Sequence, residues 1–245
     1  MRANKLVSFI VIGFLLGTSC TSTQLNSVVK TVSGTWDGAA TNELTTAEVV
    51  NGLKEALVQG AEFSSATASK TDGYFKNPQL KIPFPPEIKK VETKLRQIGV
   101  NKPVDDFILS MNRAAEKAAA EATPIFVTAI KSMTIQDAWG ILKGEQDAAT
   151  QYLKRTTGDQ LSTKFEPIIG NALESVNATK YYSDVTTTYN KIPFVEPVET
   201  DLTAYVNNLA IEGLFKLVAE EELKIRKDPI SRTTDLLKKV FGYQE

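Results

Sequence analysis

Few side chains in this sequence are equipped for chemistry. The 245-residue chain contains no histidine and one cysteine, Cys20. Ser-His-Asp and Cys-His nucleophile systems are therefore excluded, as are zinc sites built on imidazole or on several thiolates. Carboxylate, lysine and tyrosine chemistry and oxygen ligation of a hard cation remain. No motif calls for a cofactor or a metal. Three clusters combine suitable groups. Asp72, Tyr74, Lys76 and Asn77 place a carboxylate, a phenol, an amine and an amide within six residues. They read as a ligand-binding loop or as turn chemistry, since Asp-Gly and Asn-Pro are turn formers and Tyr74 and Phe75 could plug a core. In the second cluster, Asn112, Arg113 and Glu116 share one helix, with Arg113 and Glu116 spaced to pair at i,i+3. Exposed, such a pair contributes little; buried, the trio would bind a polar ligand or lock a neighbouring helix.

The third cluster lies toward the C-terminus. Glu220, Glu221 and Glu222 precede Lys224, Arg226 and Lys227, with Asp228 and Arg232 beyond. Glu220–Lys224 and Glu222–Arg226 are i,i+4 pairs in the favourable order, and acid before base suits a helix dipole. That reads as a solvated helix face. The alternative is that Glu221 and Asp228 act as acid and base or hold a hard cation. Convergence of Asp72, Arg113, Glu116, Glu221 and Arg232 on one cleft would mark a site; their dispersal would favour a scaffold or binding module.

Helices must position these groups. Thr45-Thr46-Ala47-Glu48 fits a capping box, after which Val49, Leu53, Ala56, Leu57 and Gly60 share a face to about Ser69. Lys70–Pro86, rich in proline and aromatics, predicts a long loop. Pro86 starts the next helix, with Ile88, Val91, Leu95 and Ile98 on one face and Gly99 as C-cap. Pro103 and Pro124 open two more, and Thr134 caps a helix that Gly144 ends. Separate helices fit Glu145–Thr156, Gly158–Phe165 and Pro167–Val176. Tyr181–Tyr189 is helix or short strand. Leu202–Lys227 is the longest helix, and Thr234–Phe241 is the last, with Gly242 just past its end. No segment sustains period-two alternation. The expected fold is all-α: a single domain of roughly nine to eleven helices over residues 43–245.

The N-terminus has the parts of a secretory signal in residues 1–19. Arg2 and Lys5 precede an apolar run, Leu6–Leu16, too short for the roughly 20 residues of a transmembrane helix. Leu16-Gly17-Thr18-Ser19-Cys20 resembles a bacterial lipobox, with Gly17 where Leu is usual. In such signals the cysteine is acylated and becomes the new N-terminus, and several acyl chains give stable anchoring where one does not. Thr21, rather than Asp, in the next position favours the outer membrane, facing the periplasm. Residues 20–42, rich in Thr, Ser, Gly and Asn, read as a flexible tether whose ~20 residues reach ~25 Å. Removing residues 1–19 takes Arg2 and Lys5 and moves the formal charge from −1 to −3. No basic excess suggests nucleic acid as a partner.

Several segments together resemble one bacterial family: Thr71-Asp72-Gly73-Tyr74-Phe75-Lys76-Asn77-Pro78, Ser110-Met111-Asn112-Arg113-Ala114-Ala115-Glu116, Pro124-Ile125-Phe126, Ile225-Arg226-Lys227-Asp228-Pro229, Arg232-Thr233-Thr234-Asp235-Leu236-Leu237 and Lys239-Val240-Phe241-Gly242. These are similar to domain-of-unknown-function family DUF4197 over about residues 42–245. The resemblance implies an exported, mostly helical chain, often a lipoprotein, and brings no activity or catalytic residues. The expected function is a non-catalytic envelope lipoprotein that binds a partner protein, lipid or cell-wall component. Alternatives are a periplasmic carboxylate-dependent hydrolase or lyase and a carrier of a lipid or other apolar ligand.

Overall fold

Three of the four longest helices start where a side chain satisfies their unpaired N–H groups. The computed structural model describes residues 45–242 except 192, 195, 196, 199 and 200, and the side chains of 188 and 189. The expectations for residues 1–42, Cys20 included, lie outside these residues. Helix α1 (Thr46–Ser69) opens on a full capping box: Glu48 N–H donates to Thr45 Oγ at 3.2 Å, and Thr45 N–H donates to Glu48 Oε2 at 2.9 Å. A loop and a 3-10 turn (Pro86–Ile88) lead to α2 (Lys89–Gln97). Gly99, at φ +87°, then reverses the chain as expected of a C-cap glycine. Helices α3 (Asn101–Ala119), α4 (Ala122–Ser132) and α5 (Ile135–Lys143) follow, α5 behind a second capping box of Thr134 and Asp137.

Helix α6 (Ala148–Glu174) corrects one expectation. The three helices read into residues 145–176 are one, running through Gly158 and Pro167. Gly158 costs a helix about 1 kcal/mol and a mid-helix proline about 3. Tertiary burial outweighs these costs. Leu153, Leu161, Phe165, Ile169 and Leu173 are buried along one stripe, and α6 packs on α3 and α8 along its length. Helix α7 (Ala178–Asn190) settles the helix-or-strand alternative as helix. Helix α8 (Leu202–Lys227) is capped by Asp201, whose Oδ1 accepts from Thr203 N–H at 2.8 Å. Helix α9 (Asp235–Gly242) ends the described chain, with Gly242 inside the helix.

The fold is all-α: nine α-helices and no strand among the described residues. Helices α1, α3, α6 and α8 pack on one another to form the centre; α4 and α5 lie against α1 and α6, α7 against α6 and α8, and α9 against α1. Helix α2 packs chiefly on α3. The core includes Leu53, Tyr74, Met111, Phe126, Leu161, Phe165 and Leu214. No helix among the described residues is long and apolar enough to cross a membrane.

Candidate functional site

The loop after α1 turns sharply back against α3. Asp72 sits at φ +69°, a left-handed conformation that Asp tolerates better than most residues. Gly73 follows because a Cβ there would lie 2.4 Å from the Ala68 carbonyl oxygen. The turn delivers the N–H groups of Tyr74 and Phe75 to Glu116 Oε1, each at 3.1 Å. Arg113 then bridges two carboxylates: Nη1 donates to Glu116 Oε2 at 2.5 Å and Nη2 to Asp72 Oδ1 at 2.6 Å. Lys76 adds a 2.7 Å ion pair to Asp72. The bonds from Lys76 and then Arg113 hold the Asp72 carboxyl below its ordinary range. The bonds to Glu116 and then Asp72 push the Arg113 guanidinium upward.

One turn earlier on α3, the fully buried Asn112 imitates a strand partner. Its Oδ1 accepts from Ile82 N–H at 2.9 Å and its Nδ2 donates to Ile82 O at 2.8 Å. The Tyr74 ring is fully buried over Gly213 of α8, where a Cβ would meet ring atom Cε1 at 2.9 Å. Its hydroxyl donates to Ala210 O at 2.5 Å. Burial, reinforced by the Glu116 charge, drives the phenol well above its ordinary pKa. Such a phenol is fixed in its protonated form and is a poor base. Asn77 stands apart: its Oδ1 accepts from Gln79 N–H at 3.0 Å and closes a local turn.

The C-terminal residues form a second, separate cluster. Helix α6 has no side-chain cap from Asp147. Glu222 of α8 caps it instead, accepting Ala149 N–H at 3.0 Å and Thr150 N–H at 2.8 Å. Arg226 donates to Glu222 at 2.8 Å and to Ile141 O at 2.9 Å, joining α5, α6 and α8. Arg232, 3 % exposed, donates to Ile225 O at 3.1 Å and Arg226 O at 2.9 Å, satisfying carbonyls at the end of α8. Asp228 caps the 3-10 turn Pro229–Ser231 through Ile230 N–H at 2.9 Å. Glu221 pairs with Lys224 at 2.5 Å. That leaves the expected Glu220–Lys224 pair without support, whereas Glu222–Arg226 forms.

Of the five residues whose convergence would have marked a site, Asp72, Arg113 and Glu116 meet, while Glu221 and Arg232 serve the other cluster. Among the described residues no group of three or more Cys, Asp or Glu side chains is arranged to hold a metal ion. Sequence reasoning missed Glu222 as the central group of its cluster. Its alternation with apolar Val218 and Ile225 on one face was the available signal.

It also missed a cleft. Phe84 and Ile88, α2, the first half of α3, and α7 with the preceding Val176 enclose a space of about 600 Å³. Its walls are Val91 and Leu95 of α2, Val104 and Phe107 of α3, and Ala178, Tyr182 and Val185 of α7. The rings of Phe84 and Phe107 pack at 5.3 Å between centroids. Val176, Tyr181 and Val185 are 53 %, 64 % and 36 % exposed, so this is an apolar surface open to solvent. Its polar side chains are few. Asp106 pairs with Lys102 at 2.6 Å, Ser110 Oγ donates to Phe107 O at 2.8 Å, and the hydroxyls of Tyr181 and Tyr182 complete the set. Clefts of this size and character are the usual form of small-molecule sites.

An all-helical domain with two internal polar locks and an open apolar cleft among the described residues is the class that fold and site define. The chain belongs to the family described as "Protein of unknown function (DUF4197)", whose model matches residues 43–242. No curated protein and no solved structure matches it.

Proposed function

We propose that the protein is a non-catalytic envelope module, held at a membrane by lipid on Cys20, that binds an apolar group in the α2–α3–α7 cleft. The open cleft is the observation that carries this reading. The polar residues give it indirect support. Asp72, Arg113 and Glu116 are engaged with one another and with the loop backbone, and Glu222, Arg226 and Arg232 with helix ends. A general acid or base needs a proton-donating or proton-accepting atom directed at substrate, and these groups are spent on the fold. The cleft offers solvent an apolar wall whose burial is favourable at about 0.8 kcal/mol per methylene. Five buried methylenes give about 4 kcal/mol, the free energy of a millimolar complex.

The test of binding is an environment-sensitive apolar fluorophore such as N-phenyl-1-naphthylamine, titrated into the full chain bearing Cys20→Ala. Saturable binding is expected, weakened by Val185→Trp, which fills the cleft. Its absence would refute the cleft as a binding site, and specific turnover of an envelope substrate would refute the non-catalytic reading. The anchor is tested by metabolic labelling with a palmitate analogue: incorporation in the native chain, none in Cys20→Ala.

A further inference from the structure

The chemistry of the cleft walls narrows the class of its occupant. A peptide or sugar brings amides or hydroxyls that lose water on entry and need partners. These walls have few to offer. Asp106 and Ser110 are bonded within their own helix, and the backbone of α2, α3 and α7 is helical. The best match is an occupant that makes no polar demand along its length. The volume takes in little of a partner helix. With its side chains a helix is about 10–12 Å across, so roughly one turn would fill the space, which measures about 600 Å³. A slender chain fits better. An apolar cavity of about 150 Å³ takes one benzene ring, so a space about four times as large takes roughly twenty carbons.

The chain outside the described fold points to the source. Forty-four residues precede Thr45, with Cys20 among them. On the lipoprotein reading, the ~20-residue tether keeps the domain within a reach of ~25 Å from a bilayer, where acyl chains are the dominant apolar solute. Resting on the cleft reading above, we infer that the α2–α3–α7 cleft takes one acyl chain of a membrane phospholipid. Helix α2 is the wall best able to adjust, since it packs chiefly on α3 and is joined to it through Gly99, which has no neighbour within 4 Å of a Cβ position.

The experiment incubates the full chain bearing Cys20→Ala with vesicles of phosphatidylethanolamine and phosphatidylglycerol containing a pyrene-acyl phosphatidylglycerol. Pyrene monomer emission and native mass spectrometry report transfer. One phospholipid per chain is expected, with uptake reduced about tenfold or more, equivalent to 1.4 kcal/mol or more, in Val185→Trp or Val176→Trp at unchanged circular dichroism. Two blocking positions guard against one variant failing to fold. If the naphthylamine probe binds but no phospholipid transfers, the acyl-lipid inference falls and the apolar cleft stands. Transfer of oleate alone would likewise overturn the phospholipid source. Undiminished uptake in both folded variants would overturn the location, and failure of the probe itself would sink both readings.

Discussion

Helix α3 presents two faces that handle exposed chemistry in opposite ways. On one, Asn112, Arg113 and Glu116 look like a ligand site in sequence, yet their bonding groups go to Ile82, Tyr74, Phe75 and Asp72 of the same chain. On the other, Val104 and Phe107 look like ordinary core residues, yet they line a cleft that no other element among the described residues fills. A dense polar cluster can be a folding device, because buried polar groups must find partners. An apolar face left without a neighbour is the less conspicuous and more informative vacancy. The two faces are also coupled. The locks at Glu116 and Asn112 set the path of the loop whose next residues, Phe84 and Ile88, form a wall of the cleft.

The largest effect that would break this comparison is at Glu116. Removing the carboxylate in Glu116→Ala strands two N–H groups, one buried with Tyr74, and takes a partner from Arg113. At about 1–3 kcal/mol for each unsatisfied buried group, the loss is about 3 kcal/mol, a fall in Tm of roughly 10 °C for a chain of this size. Thermal unfolding followed by circular dichroism checks it. A variant with native Tm but altered ligand binding would mean that Glu116 serves a site and not the loop. Asn112→Ala comes next, at about 2 kcal/mol, since it leaves the N–H and C=O of buried Ile82 without their partner. Because Ile82 leads directly to Phe84, this variant is also expected to weaken fluorophore binding.

The cleft face predicts the reverse pattern. Val176 is half exposed and outside any helix, so Val176→Ser is expected to move stability by no more than about 0.5 kcal/mol, as for other surface changes. Fluorophore affinity falls several-fold in the same variant. Urea unfolding and a binding titration on one sample separate the two effects. Stability lost without loss of binding would return Val176 to the ranks of structural residues.

The unequal legibility of the two faces has a physical cause. Local rules reached what local chemistry decides: the capping box at Thr45 and Glu48, the positive φ at Gly99, the Arg113–Glu116 pair and the plug at Tyr74. They failed where distant elements decide. Pro167 reads as a break because intrinsic propensity says so, but burial of Phe165 and Ile169 holds one helix through it. Glu222 reads as a solvated i,i+4 partner because spacing along α8 cannot show that the bare N-terminus of α6 lies across from it. The Ile88–Val91–Leu95 stripe was evident as apolar. Periodicity shows that a face is apolar without showing that another element covers it.

The smallest effect distinguishes the faces by pH. Asp72 has its carboxyl held below the ordinary value of 3.8, first by Lys76 and then by Arg113. A carboxylate depressed in the fold contributes stability that is fully present above its unfolded pKa and lost as pH falls through the folded one. The lock is therefore expected to be unchanged at neutral pH and to weaken below about pH 4, where the unfolded chain begins to take up the proton. Glu48 behaves alike at the other end of α1. Its bonds to Lys239 and to the Thr45 cap lower it to about 2, so acid also loosens the tie between α1 and α9. Replacing Asp72 with Asn removes one titrating group, and the fall of Tm between pH 4 and 2.5 should become shallower than in the native chain. Val176→Ser, on the cleft face, should keep the native slope. Equal slopes in native chain and Asp72→Asn would show that Asp72 is no part of the lock, leaving Glu116 to hold the loop with Arg113 alone.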